Sequence, residues 1–481
     1  MAPPDDLRGD APLLDAYLTH LDAGRTPFTI PGHKGRADWL DAGLARALAG
    51  DVPLFGGLDD VKQTAGTLAD AEARAARLWG AEWCRFSTGG ATHANQALCL
   101  ALGTPGDRVV VARTAHRSTF VGLALAGLEP VWVAPRIDPR SGVPLGLEAA
   151  DVAGAMAATP GARAVLAVEP GYLGTVSDVA ALAGVAHDHD VPLVVDQAWG
   201  AHLGFHARVP RHALALGADA MVTSAHKAWP AYSQGALALA RTERLDAARL
   251  EAGFEAGNTT SPAGAVLAGL DGARALFAAR GEELLGALLG RLDDLRDRLT
   301  AAVPDLRVLG PADFPAGRFD PAKLVVLLPP TGADGVLVER DLVAAGVPVE
   351  MADRDTLVAM ATVADDDETL ARLEAALVAA VRRHAGPPRA PVPALSWQVR
   401  PQVELSPREA FFAAWQALPW RDAAGRVSAE LVAPYPPGVP VLAPGELVTH
   451  EILEGLRAAR ASGTRVAYAA DPTLETLRVV R

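Results

Sequence analysis

The sequence predicts an α/β fold built around a mostly parallel sheet. Two observations carry this. From about residue 70, short apolar runs alternate with segments of helical spacing, the pattern of βαβ units. Two of those runs, VPLVVD and ADAMVTS, end in polar residues that parallel strands would carry to one edge of the sheet.

The elements follow in order. Leu68 to Gly80 has helical spacing and no proline; Trp83 to Phe86 is short and apolar and ends at STGGATHAN. Ala94 to Gly103 is helical, Arg108 to Ala112 a strand, Ser118 to Ala126 a helix and Pro130 to Pro135 a strand. Ala162 to Glu169, Pro192 to Asp196 and Ala218 to Ser224 continue the strands. Helical patterns dominate Ala263 to Ala302, with Glu282 to Leu299 strongly amphipathic. Leu306 to Leu309, Lys323 to Leu328 and helices at Gly335 to Ala345 and Glu368 to His384 predict a smaller α/β domain. Proline-rich Ala385 to Ala394 reads as a linker. The expected organisation is an N-terminal arm and entrance segment (1–60), a large domain (61–270), a small domain (271–384), the linker (385–394) and a C-terminal domain (395–481).

At 481 residues, half of them hydrophobic, the chain can bury a large core in two or three domains. The net charge of −13, with Lys and Arg scattered, argues against nucleic-acid binding. No apolar run of membrane-spanning length occurs, and MAPPDDLRGD lacks the apolar centre of a signal peptide. Two cysteines, Cys84 and Cys99, in apolar surroundings fit a reducing cytoplasm.

Asp196 closes one strand and Lys227 lies just past another. Each alone reads as a turn or solvated residue. Together at one sheet edge they suit pyridoxal phosphate (PLP), which needs an amine for its Schiff base and a carboxylate for its ring nitrogen. Ser87 to Asn95, between a strand and a helix, offers glycines and free N–H groups to an anion, and Thr92 adds a hydroxyl. No Gly-Lys-Ser/Thr follows, which disfavours a nucleotide triphosphate. His116 follows a strand and could stack on a cofactor ring or move a proton. Ser224, His226 and Lys227 place a hydroxyl, an imidazole and an amine within four residues. No metal site is expected: His187 and His189 suit a solvated helix end, and His202 and His206 lack the glutamate of a zinc helix.

These motifs, in this order, resemble the PLP-dependent ornithine/lysine/arginine decarboxylases. The likeness extends over IPGHKG (Ile30 to Gly35), GGLDD (Gly56 to Asp60), the glycine-rich turn and AHRS. It continues through EPGYLGTVSD (Glu169 to Asp178), DQAWGAHLGFH (Asp196 to His206), SAHK and GRVSAELVAPYPPGVPVLAPGE, which ends at Glu446. The chain is similar to the shorter branch, without the extra N-terminal domain.

The resemblance implies PLP fold type I, with a seven-stranded-type sheet in the PLP-binding large domain. It implies decarboxylation of arginine, lysine or ornithine to a polyamine-type amine, in a homodimer or higher oligomer with sites formed between subunits. Catalytic roles would fall to Lys227, which carries the cofactor, and to His226 and His116, the latter stacked on the ring. Asp196 would pair with the ring nitrogen. Ala91, Thr92 and Ser224 would hold the phosphate, and Ala198 would border the cofactor. Glu446, Trp199 and His33, with Lys34, would belong to the substrate region, and Glu446 or Asp60 would suit a cationic side chain.

The chain departs from the family pattern at Ala91, where Ser or Thr is common, and at Gln197 and Trp199, where an acid and an imidazole are common. These changes touch substrate identity more than cofactor binding. The alternatives are another PLP reaction on this scaffold, of aminotransferase or aldolase type, or a non-catalytic PLP-binding protein.

Overall fold

The computed structural model describes residues 9–36, 38–54, 58–59, 65–435, 438–461 and 463–481. Its centre is a seven-stranded sheet of β1 (Trp83–Ser87), β2 (Arg108–Ala112), β3 (Glu129–Val133), β4 (Val165–Val168), β5 (Leu193–Asp196), β6 (Ala220–Ser224) and β7 (Ala236–Ala240). The spatial order is β1-β7-β6-β5-β4-β2-β3. β7 runs antiparallel to both neighbours, and the pairings among β2 to β6 are parallel. Every residue of β4, β5, β6 and β7 is buried, as expected of a sheet with helices on both faces.

Six of these strands lie where the apolar runs predict them; β7 is the addition. Its sequence, ALALA, consists of good helix formers without a β-branched residue. Only its slot between β1 and β6, with full register on both sides, makes it a strand.

A 39-residue helix, Gly264–Ala302, runs past the position expected for the boundary between the large and small domains. The second sheet is antiparallel, in the order β10-β11-β9-β8, built from β8 (Arg307–Leu309), β9 (Lys323–Leu327), β10 (Met351–Ala352) and β11 (Thr356–Met360). The helices Gly335–Ala344 and Asp367–Arg383 accompany it. The C-terminal region forms two long-range antiparallel pairs, β12 (Trp415–Pro419) with β15 (Thr476–Val480) and β13 (Ala433–Tyr435) with β14 (Arg465–Ala467). They enclose a separate apolar cluster that includes Val399, Trp420, Val432, Leu456 and Leu477. Among the described residues no helix is long and apolar enough to cross a membrane.

Candidate active site

The C-terminal ends of β4, β5 and β6, marked by Val168, Asp196 and Ser224, open into a crevice of about 530 Å³. β5 and β6 are parallel neighbours, with Asp196 paired opposite Val222. The crossover between them therefore brings Asp196 and Lys227 to one cavity despite their distance in sequence.

Asp196 is 7% exposed and held at both oxygens. Oδ2 accepts from Asn95 Nδ2 at 2.7 Å and Oδ1 from the Ala198 N–H at 3.0 Å. Asn95 Nδ2 also donates to Ser118 Oγ at 3.1 Å, and Ser118 Oγ lies 2.9 Å from His116 Nδ1. His116 Nδ1 accepts from the Ser118 N–H at 3.2 Å, so His116 caps the helix Arg117–Ala126 and the ring proton belongs on Nε2. Burial holds the His116 imidazole below its ordinary pKa, Asp196 opposes this, and the cations of Lys227 and Arg117 add to it.

Lys227 sits in the short helix Ala225–Ala228 that follows β6. Its Nζ is 3.7 Å from the centroid of the Trp199 ring. Burial lowers the affinity of the amine for its proton, against the pull of Asp196 and Glu350. A less protonated lysine is the one that can act as a nucleophile. His226 Nδ1 lies 3.0 Å from the Gly235 carbonyl; the contact requires an N–H there and leaves Nε2 with its lone pair.

Across the crevice, Gly89 and Gly90 turn the chain into the helix Gly90–Leu102. Gly90 has φ +70°, and the Gln234 carbonyl lies 3.7 Å from where a Cβ would stand. The N-terminal N–H groups of this helix, with Ala91, Thr92, Ser224 and Ser233 in the wall, form a cradle suited to a phosphate. Ser233 brings to the wall a hydroxyl that Ala91 lacks. An aldehyde-reactive amine, a fixed carboxylate, an imidazole and an anion cradle in one cavity fit the chemical demands of PLP.

The crevice gathers Ala91, Thr92, His116, Asp196, Ala198, Trp199, Ser224, His226 and Lys227, all expected from sequence. Two residues expected in the substrate region lie away from this crevice. Glu446 does not line the crevice; it is 2% exposed and clamps Arg113 with both oxygens, at 2.5 and 2.9 Å, while accepting from the Ala443 N–H at 2.9 Å. Its carboxylate neutralises a buried guanidinium and joins the C-terminal region to the strand β2. His33 also lies outside the crevice wall, pairing with Asp51 at 3.1 Å, and the Lys34 amine donates to the Thr29 carbonyl. Asp60 lies outside the described residues.

Sequence reading missed Glu350, just before β10, Tyr172, and Tyr435 and Tyr468 near the C-terminal end of the chain, all of which line the cavity. Tyr172 and Tyr435 lie inside the quoted family motifs, which do not single them out; Glu350 and Tyr468 lie in none of those motifs, and only tertiary packing brings their segments to the sheet edge. Of the histidines weighed for a metal, His187 pairs with Asp219 and His202 with Asp320, each at 2.9 Å. Among the described residues no cluster of three or more His, Cys, Asp or Glu is arranged to hold a metal.

Comparison with known proteins agrees with this geometry. The family profile described as Orn/Lys/Arg decarboxylase, major domain, matches residues 11–316, and that of the C-terminal domain matches residues 394–466. An arginine decarboxylase of Halalkalibacterium halodurans is 31% identical over 480 residues, covering 98% of this chain and 97% of the relative. An arginine decarboxylase of Bacillus anthracis is 30% identical over 485 residues, with 98% and 97% covered. Among solved structures, the Francisella novicida lysine decarboxylase superposes with TM-score 0.83 at 18% identity, covering 99% of this chain and 82% of the other. The likeness of fold and the end-to-end match to these relatives agree: the chain belongs to the Orn/Lys/Arg decarboxylase family and is a decarboxylase.

Proposed function

We propose that the crevice binds pyridoxal 5′-phosphate and that the enzyme decarboxylates a basic α-amino acid, arginine foremost. The observation that carries this reading is the meeting of Asp196, Lys227 and Glu350 in one cavity. The whole-length relatives named arginine decarboxylases support arginine ahead of lysine and ornithine. When bound, the cofactor supplies an electron sink for the pair released from a Cα–carboxylate bond.

The residues of the chain do the rest. Lys227 presents Nζ to the aldehyde. Asp196, aligned by Asn95 and the Ala198 N–H, holds a proton on the ring nitrogen. His116 offers its ring beside that carboxylate, fixed through Ser118. The glycine-rich turn, Thr92 and Ser224 bind the phosphate. His226 Nε2 is free to hold or deliver a proton within the cavity. Glu350, an exposed carboxylate on the small-domain wall, suits the distal cation of the substrate. Tyr435 and Tyr468 add two phenol rings to the cavity lining. Phe28, Ile30 and Trp39 are 94%, 55% and 62% exposed, a surface that a second copy would cover in a homodimer. A cytoplasmic site of action completes the proposal, in keeping with two free, buried cysteines.

The test is absorbance between 300 and 500 nm, before and after arginine, lysine or ornithine, with carbon dioxide release followed in parallel. A cofactor band that responds to one amino acid, with matching gas, supports the reading and names the substrate. No band after adding PLP, or an equal band in Lys227→Ala after reduction and dialysis, overturns it.

A further inference from the structure

Lys323 opens β9 with a side chain that is 0% exposed. Lysines are seldom buried to this degree without a paired carboxylate. Among the described residues the Lys323 amine forms no salt bridge, and its hydrogen bond, to the Tyr172 carbonyl, is a long one at 3.4 Å. Its Nζ instead lies 3.8 Å from the centroid of the Trp199 ring. Lys227 Nζ lies 3.7 Å from that same centroid. The two amines are therefore at most about 7.5 Å apart, the sum of those distances.

We propose that Lys323 and Lys227 are a coupled amine pair sharing one indole, in which Lys323 is a positioning residue that fixes Trp199 and the charge on Lys227 disfavours one on Lys323. Two ammonium groups held this close, one of them fully buried, oppose each other's protonation, and the opposition is reciprocal. Trp199 comes from the loop after β5 and Lys323 from the small domain, so the contact also ties the two domains beneath the crevice. Tyr172 packs edge-on against Trp199 with ring centroids 6.1 Å apart, and its carbonyl receives the Lys323 proton, which closes the arrangement.

The charged surroundings of Lys323 are few. Asp320 attracts its charge but is already paired with His202 at 2.9 Å. Glu350 also attracts it, Lys227 repels it, and Arg296 from the long helix binds the Lys323 carbonyl at 3.2 Å. Burial pushes the Lys323 amine down to about 7, with the Lys227 charge acting in the same direction. The role assigned to Lys227 here rests on its reading as the aldehyde-bearing amine, which cofactor uptake tests separately.

The experiment is a pH titration of the lysine ε-carbon NMR signals of the apoprotein, in wild type, Lys227→Met and Lys227→Arg. The expected result is a rise of about 0.5 pH unit or more in the Lys323 midpoint when Lys227→Met removes the neighbouring charge, a threefold change in proton affinity. A Lys323 midpoint unchanged in a folded Lys227→Met protein overturns the proposal. Should that variant not fold, Lys227→Arg keeps the cation, and the Lys323 midpoint then stays at or below wild type; a rise overturns the proposal. Failure of the wild-type apoprotein to develop a 300–500 nm band with PLP sinks the reading of Lys227 and leaves the measured coupling standing.

Discussion

Replacing Glu446 by alanine distinguishes a clamp from a substrate ligand. The Arg113 side chain is 1% exposed and that of Glu446 3%, so the substitution strands a guanidinium away from water. Breaking a buried pair from one side costs about 3–5 kcal/mol. Arg113 keeps the Val441 carbonyl at 3.3 Å and the rings of Phe120 and Trp132 at 5.3 and 5.0 Å. These contacts soften the loss, which places it near the lower end, about 3 kcal/mol. Such a change amounts to about a hundredfold in the folding equilibrium. The assay is urea unfolding followed by tryptophan fluorescence, together with steady-state kinetics on surviving folded enzyme. The double variant Arg113→Met/Glu446→Leu removes both charges and is expected to regain most of the lost stability. A Glu446→Ala enzyme of wild-type stability whose KM for the amino acid rises sharply would refute the clamp and return Glu446 to the substrate.

Three further outcomes are expected. Asp196→Asn keeps the fold and lowers turnover by about 10–100-fold, the worth of one charge-assisted hydrogen bond, measured by carbon dioxide release. Glu350→Gln raises KM for a cationic amino acid by about fivefold, a modest factor because the carboxylate is solvent-exposed, while PLP uptake is unchanged; an unchanged KM removes Glu350 from substrate binding. Glu169, fully buried, is raised to about 7 by burial, against hydrogen bonds from Ser177. The unfolded carboxyl loses its proton near 4.5 and the folded one only near 7, so the stability from this residue is full at low pH and lost as pH rises through that window. The loss is at most roughly 3 kcal/mol, and Glu169→Gln is expected to flatten the dependence of urea midpoint on pH over that range.

Much of the catalytic wall was legible in the sequence because it lies at strand ends. A buried parallel strand has a strong local signature, and the residue after it has one destination, the carboxyl edge of the sheet. Asp196, Ser224, Lys227 and His116 all follow from that rule. The glycine-rich turn was legible for a similar local reason, since a backbone at φ +70° beside a helix start favours glycine at position 90.

What the sequence by itself determined was the set of local periodicities: the alternation of strand and helix, the reactive residues at strand ends, and the family motifs. Tertiary structure alone decided where non-local partners fall. It made a strand of ALALA by inserting it between β1 and β6. It turned Glu446 from the crevice to Arg113, because a buried guanidinium 333 positions away in the chain needed a counter-charge. It brought Glu350 and two tyrosines from other segments to the cavity around Lys227, and Lys323 to the Trp199 ring. Local propensity acts between residues a few positions apart, whereas charge pairing and cavity closure act through space, and only the folded chain sets those distances.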